Sequence, residues 1–288
     1  HRSGRLHRCE SRRPIQARTL QILITKSKKM KKLIKSLLSP EILFLIKKFF
    51  FRSTDELYVI QKYFRRNNIS KGLMIDVGVH YGSSCIPFLK DGWKVYGFEP
   101  DLRNLAEATK RIPREADIKI FDYALSDEPG EMEFFSSNVS SGISSLSNFH
   151  ESHKLARLVQ VKTLGMMIEN LKIQTINLLK IDAEGFDLKV LKGINFSDKL
   201  NLDIIICEFE DKKTLRLNYS VLDTIAFLEH EGYKVIVCEW EPIREYGINH
   251  RFKKAKLYPC DIDAESWGNL IAFKDPAFSN FALKELNF

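Results

Sequence analysis

From about residue 71 to its end, the chain alternates short apolar runs with amphipathic helical patterns. The run LMIDV at residues 73–77 is apolar except for one aspartate, which is typical of a strand buried on both faces of a parallel sheet. Helical patterns at residues 188–191 and 221–231 separate later strands. This alternation predicts an α/β protein with a doubly wound, mostly parallel sheet and no second domain. The predicted strands are residues 73–77, 95–98, 118–123, 131–135, 176–181, 202–207, 235–238 and 270–273, with 131–135 as a short additional strand.

Polar residues after the strands predict where helices begin and where a long loop lies. Ser83 or Ser84 can cap the helix after the first strand, and Asp101 can cap the next helix. The segment SSNVSSGISSLSN at residues 136–148 is rich in serine and asparagine. Its composition and length predict a loop that can cover a ligand as a lid.

Positive charge is concentrated near the N-terminal end. Residues 1–71 contain 19 lysines and arginines and 4 acidic residues, whereas the rest of the chain has a net charge of −7. A negatively charged body is a poor non-specific binder of nucleic acid, so no nucleic-acid partner is expected. We predict three parts: a disordered or non-native leader at 1–29, a basic, helical extension at 30–70, and the α/β domain at 71–288.

Two features bear on where the protein acts. The apolar run LLSPEILFLIKKFFF at residues 37–51 is interrupted by charged residues and proline well short of the roughly 20 apolar residues that a membrane span needs. It is predicted either to pack on the core or to lie as a basic amphipathic helix on the inner face of an anionic membrane. The five cysteines are odd in number and lack CxxC spacing, which favours the reducing cytoplasm over a disulfide scaffold.

The turn after the first strand, MIDVGVHYG, contains Asp76, Gly78 and Gly82. Glycine tolerates positive φ and has no Cβ, so the backbone can bend sharply and approach a ligand. A dinucleotide site would have glycine in place of Asp76, whose charge repels a pyrophosphate and suits a cation. Glu99 follows 23 residues later, where an acidic residue can bind two ribose hydroxyls. The pattern predicts a nucleoside with a positive end, such as S-adenosylmethionine; a simple strand-to-helix turn is the alternative for the glycine motif alone.

Four ordered motifs extend this pattern from residue 73 to about residue 210. They are MIDVGVHYG, GFEPD, DYALSDEPG and LLKIDAEGFDLKVLKGI. The series resembles the FkbM-type methyltransferases, in which the motifs run close to IDVGANxG, FEP, NxALSDxxG and LKIDVEGAExxVLKG. The resemblance implies a Rossmann-like class I methyltransferase with a seven-stranded sheet. It also implies S-adenosylmethionine as the cofactor and a hydroxyl of a glycan or secondary metabolite as the acceptor.

The resemblance further implies which residues bind the cofactor. Glu99 matches the ribose ligand, and Asp122 with Ala124 stands where the adenine pocket is expected, because a carboxylate can accept a hydrogen bond from the adenine amino group. Capping of the turn after the third strand is the alternative for Asp122. The family's loop asparagine is replaced by His80, which could contact the cofactor's carboxylate, act as a base, or simply fill the loop. The full predicted set is Asp76, Gly78, His80, Gly82, Glu99, Asp122, Ala124 and Asp182.

The motif LLKIDAEG is expected to carry the chemistry, since it lies at the carboxyl end of a central strand. Methyl transfer to a hydroxyl requires alignment of the acceptor and removal of its proton. We predict that Asp182 aligns the cofactor or acceptor, that Glu184 is the general base, and that Glu208 is a further catalytic carboxylate. Solvated strand-end carboxylates are the alternative, and the role of Lys180 is open.

No metal site is predicted. His150 and His153 have HxxH spacing, but no third ligand lies within sequence reach. Basic and aromatic residues between 241 and 267 could hold a sugar or an acidic substrate, or belong to a surface insertion. The sequence therefore predicts a metal-independent, S-adenosylmethionine-dependent O-methyltransferase. The alternatives are a membrane-associated methyltransferase of a lipid or protein, and a nucleoside-binding module without turnover.

Overall fold

The computed structural model describes residues 55–137, 139–243 and 250–287. The predicted leader, most of the basic extension and the apolar run at 37–51 lie outside the described residues. The last part of the predicted extension, from Asp55 onward, is described. It belongs to the same compact unit as the sheet, and this unit begins at Asp55. No helix in the described residues is long and apolar enough to cross a membrane.

Within residues 55–287, apart from the gaps just named, eight strands form the main sheet, which is mostly parallel as predicted. The strands of the chain are β1 Leu73–Val77, β2 Lys94–Phe98, β3 Ile118–Phe121, β4 Ala124–Leu125, β5 Gly130–Ser137, β6 His153–Lys162, β7 Thr175–Ile181, β8 Asn201–Glu210, β9 Lys234–Trp240, β10 Phe252–Leu257 and β11 Trp267–Phe273. The order in the main sheet is β3-β2-β1-β7-β8-β11-β9-β10. Strand β11 is antiparallel to both β8 and β9, so its first residues lie at the carboxyl edge of the parallel strands.

Helices cover both faces of this sheet. They are α1 Glu56–Arg66, α2 Ile86–Lys90, α3 Leu102–Arg111, α4 Leu164–Asn170, α5 Asp187–Lys192, α6 Asp211–Thr214, α7 Val221–His230 and α8 Pro276–Leu286. Apolar residues of α4, α5 and α7 form one core with the sheet, to which Leu270 and Ala272 of β11 contribute. Burial of these apolar faces is the main driving force for the layered arrangement.

Helix α1 is held on the other face through α8. Successive residues of a strand point to opposite faces, so Phe273 faces away from the core that contains Ala272. Phe273 packs against Phe278 of α8 at 5.2 Å between ring centroids, and Phe278 packs edge-on against Tyr63 of α1 at 4.9 Å. This packing brings the first turn of α1 to the carboxyl edge of the sheet.

Three sequence expectations need correction. The main sheet has eight strands instead of seven, because the edge strand β10 was missed in the segment between 241 and 267. A second sheet, in the order β4-β6-β5, replaces the single short strand predicted at 131–135. The helix α2 begins without a side-chain cap, since the Ser84 hydroxyl donates to Asp76 instead. Asp101 does cap α3, accepting from the Arg103 N–H at 2.9 Å.

Candidate active site

A cavity of about 520 Å³ opens at the carboxyl ends of the parallel strands. The loops after β1, β2 and β7 line it, together with the segment after β5, the first turn of α1, and Asn269 of β11. This edge is where doubly wound sheets bind ligands, and the volume suits a small molecule. The predicted site residues that line the cavity are Gly78, His80, Glu99, Ala124, Asp182 and Glu184.

Asp76 is fully buried and does not line the cavity. The Ser84 hydroxyl donates to its Oδ2, and the Lys180 ammonium lies 3.2 Å from its Oδ1. Burial raises the pKa of Asp76, an effect that the Lys180 charge opposes. Lys180 also donates to the Gly78 carbonyl at 2.7 Å. Asp76 therefore holds the loop after β1 in place through Lys180, which gives Lys180 the role that the sequence left open.

The glycine at position 78 is required by the protein backbone itself. Gly78 has a φ of 77°, and a Cβ there would lie 2.1 Å from the carbonyl oxygen of Asp182. The loops after β1 and β7 consequently lie too close together for any side chain at position 78. Gly82 also has positive φ, but it packs beside Ile112 and does not line the cavity.

Glu99 directly follows β2, and two backbone donors orient its carboxylate. The N–H of His80 donates to Oε2 at 2.7 Å, and the N–H of Asp101 donates to Oε1 at 2.8 Å. Burial raises the pKa of Glu99 to about 7, although both backbone hydrogen bonds act in the opposite direction. A carboxylate has about four acceptor positions, so the Glu99 carboxylate can also accept from a ligand hydroxyl.

The serine-rich segment covers the cavity, and its described residues line one wall. At one end, the Ser141 hydroxyl lies 3.0 Å from His80 Nε2 and 2.7 Å from the Tyr81 hydroxyl. Farther along, the Ser144 hydroxyl donates to Asp101. The Ser145 hydroxyl donates to the backbone carbonyl of Glu184 at 2.9 Å. The lid is thus fastened to the loops after β1, β2 and β7 together.

The two carboxylates of the DAEG loop differ in their surroundings. The Asp182 side chain is 43% exposed and lies 3.5 Å from the Lys180 ammonium. Glu184 is much less exposed and has a φ of 51°, a left-handed conformation that is costly for a residue with a Cβ. Burial raises the pKa of Glu184 to about 7, while the charge of Lys213 opposes the rise. A carboxyl that titrates near neutral pH is suited to proton transfer.

Lys213 of α6 provides a buried positive charge beside this loop. Its Nζ lies 2.6 Å from Glu184, 2.8 Å from Glu208 and 3.0 Å from Glu210. Burial alone would lower the pKa of Lys213, but these carboxylates outweigh burial and raise it. The ammonium is therefore charged at neutral pH and holds the carboxylates together.

Glu208 does not line the cavity, because it faces Lys213. Oxygen atoms of Asp182, Glu184 and Glu208 lie within 4.8 Å of one another, a spacing at which carboxylates can bind a metal ion. Glu184 and Glu208 already bind the ammonium of Lys213, which supplies positive charge to this cluster.

Asp122 is the predicted site residue that the structure places farthest from its expected role. The chain bends at Asp122 and Tyr123, which leaves Asp122 exposed while Tyr123 and Ala124 line the cavity. The histidines of the HxxH spacing have partners of their own. His153 is buried, and its Nε2 lies 2.8 Å from the Ile143 carbonyl of the lid.

Sequence reasoning missed Glu56, Asn269 and Lys213. Glu56 and Asn269 line the cavity but lie outside all four motifs. Lys213 lies three residues after the end of β8 within the string EDKKT. Only its position after a strand that carries Glu208 and Glu210 could have indicated a buried cation, and surface lysines in such strings are common.

Comparison with known proteins gives one family match. The model of the methyltransferase FkbM domain matches residues 76–235, more than half of the 288 residues. No curated protein matches the chain.

Solved structures with similar architecture include magnesium protoporphyrin IX methyltransferase from Synechocystis PCC 6803 with bound SAM. The two chains are 12% identical with a TM-score of 0.38, over 92% of this chain and 100% of that one. A SAM-dependent methyltransferase from Aquifex aeolicus is 10% identical with a TM-score of 0.36, over 85% of this chain and 98% of that one.

Proposed function

Because the chain belongs to the FkbM family of S-adenosylmethionine-dependent methyltransferases, we propose that it methylates a hydroxyl of a small-molecule or glycan acceptor. Family membership confirms the resemblance that the four motifs indicated, and the cofactor is S-adenosylmethionine. Family membership does not specify a hydroxyl as the acceptor, so this part of the function is our proposal. It is supported by the chemistry of the cavity.

The cavity suits this cofactor in both charge and shape. Among the described residues that line it, Lys180 is the one lysine or arginine, so the basic groups that favour a pyrophosphate are lacking. Gly78 lets the loop after β1 pass close to the backbone of Asp182, so that both loops line the cavity. We infer that Glu99 binds the ribose hydroxyls, that Ala124 contacts the adenine, and that Asp182 faces the amino-acid end. When bound, the cofactor supplies an electrophilic methyl group on a positively charged sulfur.

The observation that carries the hydroxyl proposal is the Glu184 carboxyl, which lines the same cavity as Glu99 and has a pKa of about 7. A hydroxyl becomes an effective nucleophile when a base accepts its proton during attack. Glu184 is ionised in a large fraction of molecules at neutral pH and can accept that proton at its carboxylate. Lys213 holds the carboxylate in position while it does so.

Asp182 and Glu208 have supporting roles in this scheme. Asp182 is the more exposed carboxylate of the loop, and Lys180 holds it within 3.5 Å, so it aligns the bound molecules at the cavity wall. Glu208 acts through Lys213, to which it is bound at 2.8 Å, and is therefore a positioning residue. We place the reaction in the cytoplasm, because the odd number and wide spacing of the cysteines favour a reducing compartment.

The experiment that tests this proposal uses S-adenosylmethionine with a ¹³C-labelled methyl group and a panel of neutral methyl glycosides. We expect an O-methyl ether signal in the ¹³C spectrum and an equal amount of S-adenosylhomocysteine. Glu184→Gln is expected to lower the rate by about 10²- to 10⁴-fold, since a general base contributes that much. The exposed Glu131→Gln, on strand β5, serves as the matched control.

Three results would contradict the proposal. Formation of S-adenosylhomocysteine without an O-methyl ether signal would exclude a hydroxyl of these glycosides as the acceptor. Full activity of Glu184→Gln would exclude Glu184 as the base. If no acceptor gives S-adenosylhomocysteine, a nucleoside-binding module without turnover describes the protein better.

A further inference from the structure

The first turn of α1 brings an acidic side chain into the cavity. Glu56 is 6% exposed and lines the cavity wall. Its Oε1 accepts a hydrogen bond from the indole N–H of Trp240 at 2.8 Å and from the amide of Asn269 at 3.3 Å. Both donors are neutral, and no lysine or arginine in the described part of the chain forms an ion pair with Glu56.

Glu56 lies far from the ribose-binding end of the same cavity. Its partner Asn269 belongs to β11, whereas Glu99 directly follows β2. Three strands, β8, β7 and β1, separate β11 from β2 in the sheet. Four steps between strands correspond to about 19 Å. The DAEG loop follows β7, between these two ends, so Glu56 lies on the side of the cavity that the cofactor leaves to the acceptor.

The charge of the cavity restricts which acceptor it can receive. The carboxylic acids that line it are Asp55, Glu56, Glu99, Asp182 and Glu184. Among the described residues, two ammonium groups oppose these acids: Lys180 lines the cavity and pairs with Asp76 and Asp182, and Lys213 lies behind Glu184 and also pairs with Glu208 and Glu210. Both cations are therefore already engaged by carboxylates. A cavity lined in this way repels anions and attracts hydrogen-bond donors and cations.

We propose that Glu56 is an acceptor-binding residue and that the acceptor presents to it a hydroxyl or ammonium group and carries no negative charge. The proposal rests on the methyltransferase function proposed above and narrows its acceptor class. Neutral or amino sugars satisfy it, whereas uronic acids and sugar phosphates do not.

The state of the Glu56 carboxyl agrees with this role. Burial raises its pKa to about 7, although the hydrogen bonds from Trp240 and Asn269 act in the opposite direction. A buried carboxyl that titrates near neutral pH without a cation is characteristic of functional sites. A hydroxyl or ammonium from a ligand would add a further donor to the two neutral ones that Trp240 and Asn269 supply.

Equilibrium binding to the complex of the full chain with S-adenosylhomocysteine tests the proposal. The probes are three sugars of similar size: methyl α-glucoside is neutral, glucosamine is cationic and glucuronic acid is anionic. We expect glucosamine and the methyl glucoside to bind about tenfold or more tightly than glucuronic acid. Glu56→Gln preserves the acceptor oxygen for Trp240 and Asn269, and is expected to weaken glucosamine binding about 10- to 100-fold. Its affinity for S-adenosylhomocysteine and its melting temperature should not fall.

The outcomes separate this proposal from the one on which it rests. Equal binding of glucuronic acid, unchanged glucosamine binding in Glu56→Gln, or no binding of any of the three sugars would overturn the role of Glu56. Glu131→Gln controls for the loss of one acidic residue. Failure of the chain to bind S-adenosylhomocysteine would instead refute the methyltransferase function itself.

Discussion

The Nζ atom of Lys213 lies 2.6 Å from Oε2 of Glu184, although the Lys213 side chain is only 3% exposed. A buried ammonium is stable there because Glu208 and Glu210 also bind it. This ion pair joins α6 to the loop after β7. It therefore couples the protonation of the candidate base to the packing of a neighbouring helix.

Replacing Lys213 by methionine should move the pH dependence of methyl transfer. Loss of the cation raises the pKa of Glu184 above its value of about 7, so the rise of activity with pH shifts to higher pH. The change also leaves buried carboxylates without their cation, at a cost of about 3–5 kcal/mol in the free energy of unfolding. The measurements are the pH profile of kcat/KM and denaturant unfolding. Lys213→Arg keeps the charge, and an unshifted profile in Lys213→Met would contradict the coupling.

Glu99 and Asp76 should respond differently to loss of charge. Glu99→Gln removes a charged acceptor from the cavity and should weaken S-adenosylmethionine binding about 10- to 100-fold, with a small effect on melting temperature. Asp76→Ala leaves the buried Lys180 without its closest carboxylate. Its main effect should therefore be a lower melting temperature, and not a direct loss of cofactor affinity. Calorimetric titration and thermal melts separate the two effects. Equal behaviour of the two variants would show that Asp76 also contacts the ligand.

Stability should fall as pH rises because of Glu56. Its pKa is 4.5 in the unfolded chain and about 7 in the folded protein. The carboxyl is protonated in both states below pH 4.5, so its contribution to stability is fully present there. As pH rises from about 4.5 to about 7, the folded state loses on the order of 3 kcal/mol of stability through this group. Glu56→Gln removes this contribution, so it should be more stable than the natural chain at pH 8 and similar at pH 5. Parallel stability curves for the two proteins would contradict the buried, unpaired state of Glu56.

Two glycines with similar backbone angles offer a matched test of the contact between loops. Gly78→Ala places a Cβ 2.1 Å from the Asp182 carbonyl at a φ of 77°. Gly92→Ala has a φ of 82° with no atom within 4 Å of the new Cβ. The second change should cost about 1–2 kcal/mol for the left-handed backbone alone. The first should cost clearly more and should also abolish S-adenosylmethionine binding, and thermal melts with calorimetry compare them. Similar costs would mean that the two loops can separate without harm.

The parts of the fold that follow from local pattern were predictable from the sequence. Strand β1 was predicted with its observed bounds, because a strand buried on both faces is apolar along its length. Strand β10 was missed, because in FKKAKL only Ala255 is buried, and three lysines occupy partly buried or exposed positions at the edge of the sheet. Its assignment depends on pairing with β9, which lies outside its own sequence.

The same distinction holds for the site. Glu99 could be identified from its spacing after Asp76. The two residues lie at the carboxyl ends of β1 and β2, which are adjacent and parallel. Glu56 could not, because it reaches the cavity only when α1 packs against α8. Asp122 is the opposite case: its position in a motif indicated the adenine pocket, but a bend after β3 turns it to solvent.

The hydrogen bonds at the two ends of the cavity differ greatly in sequence separation. Glu99 is bound by the N–H groups of Asp101 and His80, which lie 2 and 19 residues away, whereas Glu56 is bound by Trp240 and Asn269, 184 and 213 residues away. Closing long loops costs more entropy and slows folding. We therefore expect the nucleoside end of the cavity to form early during folding and the acceptor end to form last, after β9 and β11 have joined the sheet.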